Sequence, residues 1–150
     1  MNSIRVTRQF VFEMAHALDG YDGKCKNIHG HSYKLMVTVK GKPEDDVKSV
    51  KNGMVIDFSD LNKIVEKHIC DRFDHALVLK DDSEVSSGLR GNTKIVEVPY
   101  QPTCENLLID FKNRIKEKFP SDTALFSMKL EETAKSYCEW FLEDNSNFGH

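Results

Sequence analysis

Three of the six histidines in this sequence are spaced so that they could share a metal ion. His29 and His31 flank Gly30, and residues two apart in a strand project to the same side, so both imidazoles would face one point. His16 joins them if its segment pairs with the His31 segment as a hairpin. Three neutral nitrogen donors without a fourth protein ligand describe a catalytic zinc with an open position rather than a closed structural site. The same donors are wrong for magnesium or calcium, which seek hard oxygens. Gly30 lets a substrate or a neighbouring chain approach the backbone closely. A His-x-His pair alone is a weak signal. The plainer alternative, a turn residue at His29 and an exposed strand residue at His31, leaves the clustering with His16 and Cys25 unexplained. Cys25, separated from His29 by three residues, admits two roles. It is either a fourth ligand in a closed Cys-His-His-His site, or a thiolate beside bound substrate whose pKa zinc and imidazoles lower until it serves as a base.

The elements that would position these residues follow from periodicity. Ile4 to Leu18 alternates polar and apolar residues and reads as a first strand, and Asp19 to Lys26, rich in glycine, aspartate and lysine, reads as the loop that delivers Cys25. From His31, the residues Tyr33, Leu35, Val37 and Val39 share one face of a second strand, antiparallel to the first. Met54 to Phe58 resumes a short extended segment. Asp57 or Ser59 then caps a helix with the stripe Leu61, Ile64, Val65, Ile69 and Phe73, on whose edge His68 reads as a boundary histidine. A short apolar run ends at Leu79, and Asp81 to Lys94 reads as a mobile surface loop. Ile95 to Val98 reads as a strand. Thr103 caps a second helix with the stripe Leu107, Leu108, Phe111, Ile115 and Phe119, stopped by Pro120. Ala124 to Leu130 and Tyr137 to Leu142 read as two final strands. The expectation is one α+β domain over residues 1–150, a four-stranded antiparallel sheet with two helices on one face.

Composition narrows the function. With 21 basic and 24 acidic residues interspersed and a net charge of -3, the chain offers no single-sign groove for nucleic acid. No apolar run approaches the roughly 18 residues of a membrane helix and the start lacks a secretory pattern, so no membrane association and a cytoplasmic location are expected. Cys25, Cys70, Cys104 and Cys138 include no Cys-x-x-Cys pair, which argues against disulfides and leaves the last three as small buried hydrophobes.

The landmarks Phe12-Glu-Met-Ala-His16, Cys25-x-x-x-His29-Gly30-His31-Ser-Tyr33, Met54-Val-Ile-Asp57-Phe58, Phe73-Asp74-His75, Pro102-Thr103-Cys-Glu105-Asn106 and Leu130-Glu-Glu132-Thr133 span nearly the whole chain. Together they resemble the 6-pyruvoyl-tetrahydropterin synthase family, and within it the 6-carboxy-tetrahydropterin synthases of 7-deazaguanine (queuosine precursor) biosynthesis.

The resemblance implies zinc on His16, His29 and His31, with Cys25 as the proton-abstracting group and Asp74 and His75 completing the acid/base set. It implies that Glu132 anchors the aminopyrimidine edge of a reduced pterin triphosphate, whose paired N–H donors suit a carboxylate. Glu105 and Thr103 go with it as substrate-binding residues. Without the resemblance, Glu132 would pass for a solvated turn residue and Glu105 for a first-turn complement to the helix dipole. Asp74 and His75 are adjacent, so in a regular strand they would point to opposite faces; either the backbone is irregular there or only one of them reaches substrate.

The implied architecture is a tunnelling fold, in which subunit sheets join into a barrel with active sites between subunits. It agrees with the exposed sheet edges expected here, and a homo-oligomer, a hexamer built from trimers, is the expectation. The implied reaction converts 7,8-dihydroneopterin triphosphate to 6-carboxy-5,6,7,8-tetrahydropterin, releasing acetaldehyde and triphosphate. The short gap between Cys25 and His29 resembles the carboxy branch, the pyruvoyl branch having a longer one. Three alternatives stand beside it: the pyruvoyl product by triphosphate elimination, a pterin aldolase or cyclohydrolase of the same fold, and a non-catalytic, zinc-stabilised module that holds a pterin or purine.

Overall fold

Strands β1 (Ile4–His16) and β2 (His29–Gly41) form the spine of the computed structural model, which describes residues 2–21, 23, 26–89, 91 and 93–146. They pair antiparallel over their full length, from Ile4 opposite Gly41 to His16 opposite His29. Phe10, Phe12 and Met14 on β1 and Tyr33, Leu35, Val37 and Val39 on β2 are buried on one face, while Gln9, Val11 and Glu13 are exposed on the other. That is the alternation the sequence predicts for a half-covered pair.

β5 (Thr123–Thr133) pairs with β2 and β6 (Ser136–Phe141) with β5, both antiparallel as expected. On the other side of β1 the structure departs from the expectation. β3 (Ala76–Lys80) runs parallel to β1 and β4 (Ile95–Val98) runs parallel to β3, giving one six-stranded mixed sheet in the order β4-β3-β1-β2-β5-β6 rather than four antiparallel strands. The cause is visible in the apolar run Ala76–Leu79, all four residues of which are buried, as in a strand covered on both faces. One cover is a short helix, α3 (Glu84–Leu89), inside the stretch expected to be a surface loop. Its Val85 and Leu89 pack with Leu77, Leu79, Ala15 and Ile95. Met54 to Asp57 is likewise not a strand. Its backbone closes a turn, with Glu44 N–H donating to Met54 O at 2.9 Å and Gly53 at φ +83°, and Phe58 already belongs to the helix.

That helix, α1 (Phe58–Val65), is capped by Asp57, whose carboxylate accepts from Ser59 N at 2.8 Å. It continues through a π-helical stretch, Glu66–Cys70, into α2 (Asp71–Phe73), and His68 sits half-buried on its flank. α4 (Cys104–Ile115) is capped by Thr103, whose Oγ1 accepts from Asn106 N at 3.2 Å. Both helical runs lie on the inward face of the sheet, as expected. Leu61, Val65, Ile69 and Phe73 meet Leu107, Phe111 and Ile115 there, and the Phe111 ring packs edge-on to Phe12 at 6.0 Å and Phe73 at 4.9 Å. A last turn, α5 (Leu142–Asn145), follows β6. Among the described residues no helix is long and apolar enough to cross a membrane.

Candidate active site

Three inward-facing apolar rows end in polar residues at the same end of the sheet. Phe10, Phe12 and Met14 lead to His16; Val37, Leu35 and Tyr33 lead to His31 and His29; Met128 and Leu130 lead to Glu132. The β5–β6 register slips between Glu131 and Thr133, so Glu132 stands at an irregularity of the kind that re-aims a side chain at a sheet margin.

The three histidines converge, their ligand atoms all within 4.8 Å of one another among the described residues. His16 Nδ1 lies 2.7 Å from the carbonyl oxygen of Pro102 and His29 Nδ1 lies 2.7 Å from that of Asn27. A carbonyl only accepts, so both Nδ1 atoms carry the proton and both Nε2 atoms present bare lone pairs. Those two Nε2 atoms face each other at 3.0 Å. A shared proton could bridge them, but burial pushes the His16 pKa down against the opposing pull of Pro102 and Glu132, which favours the neutral ring. Burial also lowers His31, outweighing the nearby Glu132 charge. The His31 Nε2 to Glu132 Oε1 contact of 3.4 Å is therefore not an ion pair at neutral pH, and Nε2 is buried without a hydrogen-bond partner. A buried ring nitrogen without a hydrogen-bond partner, beside two opposed lone pairs, is electrostatically unfavourable alone and favourable around a cation. Tetrahedral Zn–N bonds of about 2.0–2.1 Å would set the nitrogens roughly 3.3 Å apart, near the spacing of the facing pair. The donor set fits zinc.

Beside the cluster, a cavity of about 240 Å³ is lined by His16, Thr103, Glu105 and Glu132, together with Cys104, Tyr137 and Cys138. It unites one metal-ligand candidate with all three expected substrate-binding residues. A larger cavity, about 590 Å³, lies elsewhere on the sheet among Lys40, Pro43, Phe126 and Leu142. It contains no histidine or cysteine, so its size does not outweigh the chemistry of the smaller one.

The chain covers the family model for 6-pyruvoyl tetrahydropterin synthase over residues 5–143. It belongs to that family. A 6-carboxy-5,6,7,8-tetrahydropterin synthase of Haemophilus influenzae is 42% identical over 142 residues, covering 91% of this chain and 97% of that one. The protein of the same name from Rickettsia typhi is 37% identical over 141 residues, covering 91% and 99%. The solved 6-pyruvoyl tetrahydropterin synthase of Caenorhabditis elegans superposes with a TM-score of 0.63 at 26% identity, over 94% of this chain and 96% of that chain. This member of the 6-pyruvoyl tetrahydropterin synthase family is accordingly an enzyme, a lyase.

The remaining expected residues fall elsewhere. Cys25 lies outside the described residues. Asp74 and His75 precede β3 and do not line the cavity that holds His16 and Glu132. His75 adopts φ +60°, so the backbone is irregular there, the first of the two options that adjacency left open. Its backbone N–H donates to Glu13 O at 2.6 Å, and Asp74 Oδ1 accepts from Glu13 N at 3.0 Å. Glu13 pairs with Ser32 on the outward face, opposite the face of His16 and His31. His75 Nδ1 meets Asp74 Oδ1 at 2.9 Å, and the imidazole is 76% exposed. His75 instead lines a separate cavity of about 380 Å³ together with Glu13, Ser32 and His31, so within one chain the expected acid/base pair stands apart from the cavity of His16 and Glu132. Sequence reasoning missed the carbonyls of Pro102 and Asn27, which carry no side-chain signal. Tyr33, which the sequence places in the inward row and among the family landmarks, sets its hydroxyl 3.5 Å from His16 Nε2.

Proposed function

We propose that this enzyme converts 7,8-dihydroneopterin triphosphate and water to 6-carboxy-5,6,7,8-tetrahydropterin, acetaldehyde and triphosphate, with zinc held by His16, His29 and His31. The observation that carries the reading is the placement of the Glu132 carboxylate beside the histidine cluster, 3.4 Å from His31, in the cavity that Glu105 and Thr103 also line. A pterin seated with its aminopyrimidine N–H donors on Glu132 extends its side chain toward the imidazoles. The names of the two bacterial relatives support the carboxy product over the pyruvoyl one.

Bound there, zinc supplies Lewis-acid polarisation of the substrate's side-chain oxygens. Cys25 removes a proton from the adjoining carbon and His75 returns one, with Asp74 orienting the ring. Because His75 does not line the cavity of Glu132 and His16 in its own chain, its part in the reaction calls for a second copy of the chain. The reading therefore includes a homo-oligomer with active sites between subunits, which also covers the free edges at β4 and β6. One domain spanning residues 1–150 and a cytoplasmic location complete it.

Incubation with 7,8-dihydroneopterin triphosphate, followed by mass analysis of the products, tests it. The carboxy-pterin with acetaldehyde is expected, and exclusive formation of the pyruvoyl product overturns the assignment. Cys25→Ala separates enzyme from binding module: turnover is lost while zinc and ligand stay bound.

A further inference from the structure

Cys104 and Cys138 play no part in the proposed reaction, yet both line its cavity. Cys104 is the first residue of α4, immediately after the capping Thr103, and Cys138 sits on β6 opposite Leu130. Their Sγ atoms are 3.2 Å apart, and Cys104 Sγ also lies 3.4 Å from the carbonyl oxygen of Leu130. Both residues are half-buried free thiols packed against the core, less covered than the small buried hydrophobes the sequence suggested. Cys70 shows the contrast, since it is buried, and burial first, then Glu66, Asp71 and Asp74, push its thiol up to about 12. A disulfide requires about 2.05 Å between sulfurs, so this pair must close by a little over ~1 Å, a movement within the reach of two side-chain rotations.

We propose that Cys104 and Cys138 are a redox couple that hydrogen peroxide closes into a disulfide across the cavity wall. The Cys138 thiolate attacks the peroxide, forming an S–O bond as the O–O bond breaks and hydroxide leaves as water. Cys104 sulfur then attacks the sulfenic sulfur: the S–S bond forms, the S–O bond breaks, and the Cys104 proton departs with the second water. Two thiols and one peroxide give one disulfide and two waters, the thiols losing two electrons. The asymmetry of the pair supports this order. Contact with Cys104 holds the Cys138 thiol below its ordinary value despite desolvation, whereas the same contact and burial push Cys104 up. The product ties β6 to the first turn of α4 across 34 positions of sequence, fixing the wall between Thr103 and Tyr137.

The full chain, purified reduced, treated with hydrogen peroxide, blocked with N-ethylmaleimide and digested, is expected to yield a Cys104–Cys138 linked peptide. That peptide is about 2 Da lighter than its two reduced parts and disappears with dithiothreitol. The link should also form in a Cys25→Ser chain, and peroxide should raise the melting temperature of the wild type but not of Cys138→Ser. Peptides in which Cys104 and Cys138 remain alkylated after oxidation overturn the proposal. So do oxidation of either one to sulfinic acid without a link, or a link to Cys25 in its place.

Discussion

Two imidazole–carboxylate pairs flank this sheet, His31 with Glu132 at the end of the inward rows and His75 with Asp74 beside the outward Glu13, and their surroundings differ. Inward, His31 lies 3.4 Å from Glu132, with side chains 16% and 23% exposed; outward, His75 lies 2.9 Å from Asp74, with side chains 76% and 43% exposed. The inward ring is kept neutral by burial and stands with two others whose Nδ1 protons are committed to backbone carbonyls, so lone pairs converge on one point. The outward ring is solvated and held by the Asp74 carboxylate. The same two residue types thus meet a buried and a solvated environment, which suits the ligand set and the acid/base pair proposed for them.

The largest effect should come from emptying the inward set. His31→Ala leaves two donors, and stoichiometric zinc should be lost along with turnover. At about 1.36 kcal/mol per factor of ten in rate, the several kcal/mol a Lewis acid contributes amounts to roughly a thousandfold or more. Metal analysis and product assay check it together, and normal zinc with normal turnover would dismiss the triad. His75→Ala should do the reverse, lowering kcat by about 10²–10⁴-fold while zinc stays at one per chain. If zinc fell in step with activity, the functional separation of the two faces would be wrong. Mixing His31→Ala chains with His75→Ala chains sharpens the test, since an active site shared between copies should regain part of its turnover.

How much of this arrangement the sequence disclosed depends on whether the information is local. The inward rows of β1 and β2 are period-two patterns, and following each to its end reaches His16 and, through His31, His29; Glu132 lies past Leu130, where the strand reading stopped, and only the resemblance singled it out. Asp57 and Thr103 are caps because a short polar side chain precedes an apolar stripe, another local signal. β3 and β4 were less legible. Ala76 to Leu79 is apolar throughout, and such a run states burial but neither direction nor neighbour, so parallel pairing beside β1 and the cover supplied by α3 were out of reach. Met54 to Phe58 misled because a short apolar run next to a capping aspartate fits a turn as well as a strand. The Cys104–Cys138 pair and the Pro102 carbonyl on His16 join residues 34 and 86 positions apart, and only the assembled sheet brings them together.

A smaller effect probes the support behind the inward set. Thr103 caps α4 one residue after Pro102, whose carbonyl orients His16. Thr103→Ala should cost about 1 kcal/mol of stability. It should also weaken zinc by about tenfold, through a Pro102 carbonyl held less firmly. Thr103→Ser, which keeps the cap, should recover both in chemical denaturation and zinc titration. If Thr103→Ala lost stability with zinc affinity untouched, the cap would be structural only.

The smallest effect belongs to the outward pair and appears as a pH dependence. Desolvation pushes the Asp74 carboxyl up, but the Glu13 backbone N–H and the His75 ring outweigh it and hold the group below its ordinary 3.8. A depressed carboxyl binds fewer protons folded than unfolded. Its contribution is therefore present in full above the unfolded value and is lost as the pH falls through the lower folded one. Asp74→Asn removes the charge at every pH, so the variant should be less stable than the wild type at pH 7, with the gap closing below about pH 3.8. Denaturant melts of both chains across pH 3 to 7 measure that gap. The side chain is nearly half exposed, so solvent screening keeps the difference small, and added salt should shrink it further. A gap that stayed constant with pH would mean that the amide merely fits the turn badly, and that the carboxylate's charge contributes nothing to holding His75 on the outward face.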